Sequence, residues 1–169
     1  MVENYGKIHE GPIHCMLTTK NSEFLFSADW NGNLRQFYIK ENKLGLGWDY
    51  GELHKKTINS MACTNDNKYL FTSDTCGNIK QIDIELRKIY RDYGQLHSGI
   101  VYSIALTDNN KFLFTSDKNG CIKQWAIMEQ KRILQLIDIY SKGYQYGGIF
   151  DIASTKDSKY LFVTGKNAY

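Results

Sequence analysis

The chain repeats one twelve-residue phrase three times. The phrase reads LFSADWNGNLRQ at 25–36, LFTSDTCGNIKQ at 70–81 and LFTSDKNGCIKQ at 113–124. A His precedes the Asp of the phrase by 20 residues in every copy, in the pairs His9 and Asp29, His54 and Asp74, and His97 and Asp117. Self-similarity at a period of 43 to 45 residues predicts a repeat architecture, in which each copy is one supersecondary unit.

A fourth, incomplete copy follows the third. Ile149, Ile152, Leu161 and Phe162 match Val101, Ile104, Leu113 and Phe114 at an interval of 48 residues. The predicted repeats therefore cover about 9–53, 54–96 and 97–144, with an incomplete repeat over 145–169. We treat residues 1–169 as a single domain, because one such unit cannot bury its apolar faces alone.

Each unit contains four short runs that predict β-strands. In the second unit, two partly apolar runs flank the polar turn TNDNK at 64–68, where Asn and Asp favour a tight turn. A third run, NIKQIDI, follows an Asp-x-x-Gly turn, and a fourth, RKIYRDY, precedes His97. The runs lack the apolar spacing of helical repeats. We therefore predict an all-β fold, a β-propeller segment of about three and a half four-stranded antiparallel blades.

One segment carries a conflicting signal. The stretch MEQKRILQLIDIY at 128–140 contains good helix formers. Its place in the repeat nevertheless corresponds to the fourth strand of the third unit, and we predict a strand there.

Composition limits the class of protein. Apolar residues make up 42% of the chain and aromatic residues 14%, which is enough to bury a core. The formal charge is +3 and no run of five or six like charges occurs, so a nucleic-acid partner is not indicated. The N-terminus lacks a basic region followed by an apolar stretch, and no apolar segment of about 18 residues occurs. We predict a soluble, cytoplasmic protein without a membrane partner.

The four cysteines predict buried, reduced thiols. Cys15, Cys63, Cys76 and Cys121 form no C-x-x-C pair and stand at four different places in the repeat. Such spacing fits neither a zinc site nor a disulfide framework.

The sequence contains no motif for catalysis or metal binding. Three of its four His residues recur once per unit, which distributes them around a ring and keeps them from converging on one ion. The DKNG segment at 117–120 lacks the alternating acids and the closing Glu of a calcium loop. Neither a glycine-rich phosphate-binding motif nor a nucleophile with a neighbouring base is visible. We therefore expect no enzyme activity, no metal and no cofactor.

Short motifs in each unit resemble those of the WD-repeat β-propellers. The matching pieces are KIHEG at 7–11, ELHKK at 52–56 and QLHSG at 95–99, together with the strand-three aromatics Phe37 and Trp125. The Trp-Asp signature itself is degenerate, since Trp125 is followed by Ala126 and the second unit has Ile82 followed by Asp83. The resemblance covers essentially the whole chain.

This resemblance implies a structural role for the repeated His and Asp residues. In WD-repeat proteins the His before the first strand bonds the turn Asp, which would pair His9 with Asp29, His54 with Asp74 and His97 with Asp117. Counted back from the strand-three aromatic, these Asp residues stand two places earlier than the family's turn Asp, and the corresponding positions hold Asn31, Cys76 and Asn119. We therefore expect the His–Asp pairing without the family's full hydrogen-bond network.

The resemblance also implies a function, which is to hold other proteins or peptides together as a non-catalytic scaffold. Trp30, Thr75 and Lys118 vary within the turn between the second and third strands, on the side that such propellers use for binding, and Glu10 and Lys55 follow the His on that side. Trp is enriched among interface hot spots, so these residues form the candidate partner-binding surface. The alternative for Trp30 is packing on the neighbouring blade. A propeller-type enzyme or a glycan- or phosphate-binding module is the rival function.

Two further columns recur on the third strand. The amides Gln36, Gln81 and Gln124 share a face with aliphatic residues and predict either a hydrogen-bonded ring between blades or partial exposure. The cations before them, Arg35, Lys80 and Lys123, offer a weaker hypothesis of phosphate binding.

The number of predicted units is too small to close a propeller ring. Three and a half blades do not close an ordinary propeller, whose blades must stack on one another. Residues 2–7, VENYGK, echo the fourth-strand ending RDYG at 91–94. The simplest interpretation is a segment of a longer WD-repeat protein, and the alternative, if the chain is complete, is a homodimer that closes one ring.

Overall fold

The computed structural model describes residues 6–41, 43–128, 133–140 and 147–166, which form fourteen β-strands and no helix. The first sheet contains β1 (Ile13–Thr18), β2 (Phe24–Asp29), β3 (Asn33–Lys40) and β4 (Lys43–Glu52). The second contains β5 (Ile58–Cys63), β6 (Tyr69–Asp74), β7 (Asn78–Asp83) and β8 (Lys88–Gln95). The third contains β9 (Val101–Leu106), β10 (Phe112–Asp117), β11 (Ile122–Met128) and β12 (Ile133–Tyr140). The fourth contains β13 (Ile149–Ser154) and β14 (Leu161–Gly165).

Consecutive strands pair within each sheet, and every pair is antiparallel. Each of the four sheets falls within one of the predicted repeats. The predicted all-β fold with a partial set of four-stranded blades is confirmed. The helix-forming stretch is a strand at β12, while residues 129–132 of it lie outside the described residues.

The turn between the first and second strands is closed by side chains of the polar segment. Between β5 and β6, Thr64 Oγ1 accepts the N–H of Tyr69 at 3.0 Å, and Asp66 Oδ1 accepts the N–H of Lys68 at 3.0 Å. Asn67 has φ +58°, in the left-handed region that Asn enters more readily than most residues. The polar residues therefore make each hairpin, as their turn chemistry predicts.

The same left-handed turn residue also joins neighbouring sheets. The N–H of Lys20 donates to Asn67 Oδ1 at 2.8 Å, that of Asn65 donates to Asn110 Oδ1 at 2.8 Å, and that of Asp108 donates to Ser158 Oγ at 3.1 Å. The hairpins of the second, third and fourth sheets are thus each tied to the sheet that precedes them in the chain.

The sheets stand side by side through their first strands. β1 lies beside β5, β5 beside β9, and β9 beside β13. Apolar side chains fill the space between each pair of sheets, with Phe26, Leu34 and Ile82 in the first cluster, Phe71, Leu113 and Trp125 in the second, and Ile122, Ile149 and Ile152 in the third. One face of each of the first three sheets is therefore buried by the next sheet, which is the packing of propeller blades.

The described residues include no helix with the length and hydrophobicity that crossing a bilayer requires.

Candidate functional site

The repeated His and Asp residues meet in each of the three four-stranded sheets. The distance from His Nδ1 to Asp Oδ2 is 3.0 Å for His9 and Asp29, 3.1 Å for His54 and Asp74, and 3.0 Å for His97 and Asp117. On the other side of the ring, Nε2 lies 2.6 Å from Ser27 Oγ, 2.8 Å from Thr72 Oγ1 and 2.7 Å from Thr115 Oγ1, respectively. All nine side chains are buried. The loop before each first strand is thus fastened to the end of the second strand.

The second carboxylate oxygen of each Asp organises the turn that follows. Asp74 Oδ1 accepts the N–H of Cys76 at 2.8 Å and that of Asn78 at 2.9 Å. Burial opposes ionisation of this carboxyl, but hydrogen bonds from His54 and Asn78 outweigh it and lower the pKa of Asp74 below its ordinary value. The pKa values of Asp29 and Asp117 are lowered in the same way, by donors that outweigh their burial.

The third sheet extends this network by one residue. Trp125 is buried in β11, and its Nε1–H donates to Thr115 Oγ1 at 2.9 Å. Asp117, His97, Thr115 and Trp125 therefore form a continuous hydrogen-bonded chain. The expectation of a His–Asp pairing alone is wrong in all three sheets, because each His also contacts a Ser or Thr hydroxyl. In the third sheet, β10 and β11 pair Leu113 with Trp125, and the Trp125 indole reaches Thr115. Phe37 is the buried counterpart in the first sheet, and its side chain has no N–H to donate.

The His–Asp–hydroxyl geometry resembles a hydrolase triad but lacks access. Ser27, the hydroxyl partner of His9, is fully buried, as are Thr72 and Thr115. A nucleophile must reach its substrate, and these hydroxyls face packed protein. The arrangement supports a structural role that is repeated once per blade.

One cluster among the described residues has the side-chain types of a metal site. Ligand atoms of His97, Asp117 and Cys121 lie within 4.8 Å of one another. Both ring nitrogens of His97 and both oxygens of Asp117 already have hydrogen-bond partners. Burial, with Asp117 nearby, raises the pKa of the Cys121 thiol and disfavours the thiolate that a metal would need. The cluster is accounted for by the blade network.

The glutamine column has a different role from the one we expected. A tyrosine hydroxyl of the fourth strand donates to each amide oxygen, with distances of 2.9 Å from Tyr50 to Gln36, 2.6 Å from Tyr93 to Gln81 and 2.7 Å from Tyr140 to Gln124. The predicted ring between blades is wrong for these residues, because each partner lies in the same sheet. The repeated DYG at 49–51 and 92–94 was the signal that could have revealed it.

Each cation of the third strand contacts a different oxygen atom close to its own sheet. Arg35 Nε lies 2.9 Å from Asp49 Oδ2, Lys80 Nζ lies 3.2 Å from Asp92 Oδ2, and Lys123 Nζ donates to the Leu96 carbonyl at 2.6 Å. Their engagement in local contacts gives no support to a joint phosphate site.

Trp30 has a large, exposed side chain on the side of the His loops. It lies in the β2–β3 turn with 57% of its surface exposed, so more than half of its surface is not packed on the neighbouring blade. Its Nε1–H donates to His14 Nδ1 at 3.3 Å. Its backbone N–H donates to the Pro12 carbonyl at 3.1 Å, and its carbonyl accepts the Thr57 hydroxyl at 3.0 Å. The turn that carries Trp30 is therefore fixed from both flanking loops.

The other candidate partner-binding residues lie on the same side. Lys118 is exposed, with its side chain across Gly99, and Lys55 is exposed in the loop after His54. Thr75 is half-buried, and its N–H donates to the Thr57 carbonyl at 3.1 Å. Glu10 is exposed and forms an ion pair with Lys7 at 2.8 Å.

The cysteines are all free, but they do not share one environment. Cys63 is buried, and its thiol pKa is raised by burial to about 12. Cys15 and Cys121 are half-buried. The prediction of buried thiols is wrong for Cys76, which is exposed because it occupies the β6–β7 turn on the side of the His loops.

Comparison with known proteins supports this fold. The family model for the WD domain, G-beta repeat, matches residues 51–83 and 90–126. The RRP9 WD40 repeats have a similar structure, with a TM-score of 0.75 and 14% identity over 87% of this chain and 43% of that one. U3-55K is similar with a TM-score of 0.71 and 15% identity over 87% of this chain and 44% of that one. This chain thus spans less than half the length of either structure. None of the curated proteins matches the sequence. Residues 51–83 and 90–126 thus resemble WD repeats of the G-beta type, and the described residues have the fold of part of a β-propeller.

Proposed function

We propose that this chain is a non-catalytic protein-interaction scaffold that binds partner proteins or peptides through the surface around Trp30. The observation that carries the proposal is an indole with more than half of its surface in solvent, on a turn held by hydrogen bonds from two loops. Exposing Trp is unfavourable unless a partner covers it, and Trp dominates binding energy where interfaces contain it.

The repeat explains why this surface is free to serve a partner. Asp29 and Gly32 of the turn recur in every complete unit and maintain the blade, whereas Trp30 stands where the other units have Thr75 and Lys118. Nothing in the His–Asp network requires an indole at this position. The side chain is therefore available for a role outside the blade.

The rival function, an enzyme or a glycan- or phosphate-binding module, has less support. The buried hydroxyls of the three networks have no access to a substrate. The strand-three cations lie in separate local contacts. We also propose that the scaffold operates in the cytoplasm, where its free thiols remain reduced.

A matched pair of tryptophan variants tests the proposal. Trp48 is also exposed, at 43%, but it lies on β4 at the outer edge of the first sheet. Wild-type chain, Trp30→Ala and Trp48→Ala would be immobilised and exposed to lysate of the source cells, and the bound proteins would be quantified by mass spectrometry. We expect at least one protein to be captured by the wild type and Trp48→Ala and reduced about tenfold or more by Trp30→Ala. Equal capture by all three chains, with equal melting temperatures, would show that this surface does not bind the partners.

A further inference from the structure

We infer that the Trp30 surface recognises an acidic peptide segment with an apolar anchor residue. This inference rests on the proposed function and specifies the chemistry of its partner. The anchor would pack on the Trp30 indole, and neighbouring Asp or Glu side chains would pair with Lys55 and Lys56.

The first argument is proximity. Thr57, which directly follows the two lysines, donates its hydroxyl to the Trp30 carbonyl at 3.0 Å. The carbonyls of His54 and Lys56 lie so close to Gly32 that a Cβ added there would be 1.8 Å and 2.8 Å from their oxygens. The loop 54–57 therefore lies directly against the turn 29–32. An extended peptide that covers Trp30 passes within reach of both flexible lysine side chains.

The second argument is that these lysines have no ionic partner among the residues that the structure describes. Lys55, Lys56 and Lys118 are exposed, and among the described residues none of their ammonium groups forms an ion pair or hydrogen bond. Glu10, by contrast, is occupied by Lys7 at 2.8 Å. The other acidic residue in the His loops 6–12 and 52–57 is Glu52, at the end of β4. An unpaired ammonium group can gain a carboxylate partner without breaking an existing contact.

The third argument is the contrast with the opposite side of the sheets. The His loops 6–12, 52–57 and 95–100 and the turns 30–32, 75–77 and 118–120 contain four lysines and two acids. The loops 19–23, 64–68, 107–111 and 155–159 on the opposite side contain five lysines and four acids. Lysines therefore outnumber acids by two on the side of Trp30 and by one in these opposite loops.

The buried aspartates below this surface do not act as ionic partners of the exposed lysines. Asp29, Asp74 and Asp117 are shielded from solvent and accept hydrogen bonds from histidine and backbone N–H groups. A peptide at the surface contacts the lysine ammonium groups and the indole. In binding of this kind, the apolar anchor supplies affinity and the charged side chains steer association. Their electrostatic attraction weakens as the salt concentration rises.

A peptide-display selection tests the inference. Phage that display random peptides of about twelve residues would be selected on the immobilised chain at low salt, and each enriched peptide would be retested on Trp30→Ala. The Trp30-dependent peptides would then be synthesised with a fluorescent label and measured by anisotropy against Lys55→Glu/Lys56→Glu. The control is Lys20→Glu/Lys111→Glu, a charge reversal of two exposed lysines in the opposite loops.

We expect the Trp30-dependent peptides to carry net negative charge next to Leu, Ile, Phe or Trp. Their affinity should fall about tenfold with Lys55→Glu/Lys56→Glu, fall with added salt, and stay unchanged with the control. Trp30-dependent peptides that are neutral or basic, or that bind the lysine variant unchanged, would refute the acidic partner and leave the proposed function standing. If no enriched peptide depends on Trp30, both proposals fail.

Discussion

His54 Nδ1 lies 3.1 Å from Asp74 Oδ2, with both side chains shielded from solvent and His54 Nε2 2.8 Å from Thr72 Oγ1. The contact joins a loop to a strand end that is 20 residues away in sequence. Removing the ring would take one donor from the Asp74 carboxylate, which keeps the donors of Cys76 and Asn78, and would take its His54 contact from the buried Thr72 hydroxyl. Leaving one buried group unsatisfied costs about 1–3 kcal/mol.

The variant His54→Ala should therefore lower the free energy of unfolding by about 1–3 kcal/mol. Urea denaturation followed by circular dichroism measures the change. His14→Ala is the matched control, since His14 is exposed and bonds only the Trp30 indole among the described contacts. An unchanged midpoint for His54→Ala would show that the pairing does not stabilise the blade.

The contact between His and Asp could be predicted from the sequence, because a contact that recurs in every repeat requires a constant spacing between the two residues. The partner of the glutamine column was missed, because an amide on a third strand does not reveal which neighbouring strand carries its donor. The extension to Trp125 was also missed, since counting along the chain ignored the strand pairing that places Trp125 beside Thr115. Exposure of Trp30 depends on how two loops pack around its turn, which no local pattern specifies.

Acid should weaken the fold through the three buried aspartates. The pKa of Asp74 is lowered in the folded state, so the unfolded chain binds its proton more tightly. The corresponding stability is present above the pKa of the unfolded carboxyl, about 4, and is lost as the pH falls through the lower folded value. We expect the urea midpoint to decline below pH about 4, and we expect Asp74→Asn to make that decline shallower while lowering the midpoint at pH 7. A variant with the wild-type slope would contradict this assignment.

Trp125→Phe should isolate the contribution of the fourth residue in the third-sheet network. The change removes the N–H that donates to Thr115 Oγ1 at 2.9 Å and keeps most of the buried ring. We expect a loss of about 0.5–1.5 kcal/mol in the free energy of unfolding. A double-mutant cycle with Thr115→Val checks the pair, because the cost of Trp125→Phe should shrink when the hydroxyl is already absent. Additive losses would mean that the hydrogen bond contributes nothing measurable.

Gly77→Ala should be far more damaging than Gly94→Ala, although both glycines belong to the second sheet and have positive φ. Gly77 has φ +88°, and a Cβ there would meet the His97 carbonyl oxygen at 2.0 Å. Gly94 has φ +65° and no heavy atom within 4 Å of the added Cβ. We expect about 1–2 kcal/mol of strain at Gly94, and at Gly77 a larger loss or no folding, measured by thermal denaturation of both variants. Equal losses would show that the turn and the next His loop are not packed as tightly as the structure has them.

The outward face of the fourth sheet should drive self-association of this chain. Tyr160 and Phe162 expose 65% and 64% of their surfaces there. In the second and third sheets the counterparts of Phe162 are Phe71, which is fully buried, and Phe114, which is packed against the next sheet. Large exposed apolar patches promote association. We expect concentration-dependent oligomers in light scattering after size-exclusion chromatography, and a larger monomer fraction for Tyr160→Ser/Phe162→Ser. The control Leu46→Ser/Leu86→Ser removes two exposed apolar side chains of the first and second sheets and should leave the distribution unchanged. If the control acts as strongly as the test variant, association is not specific to the fourth sheet.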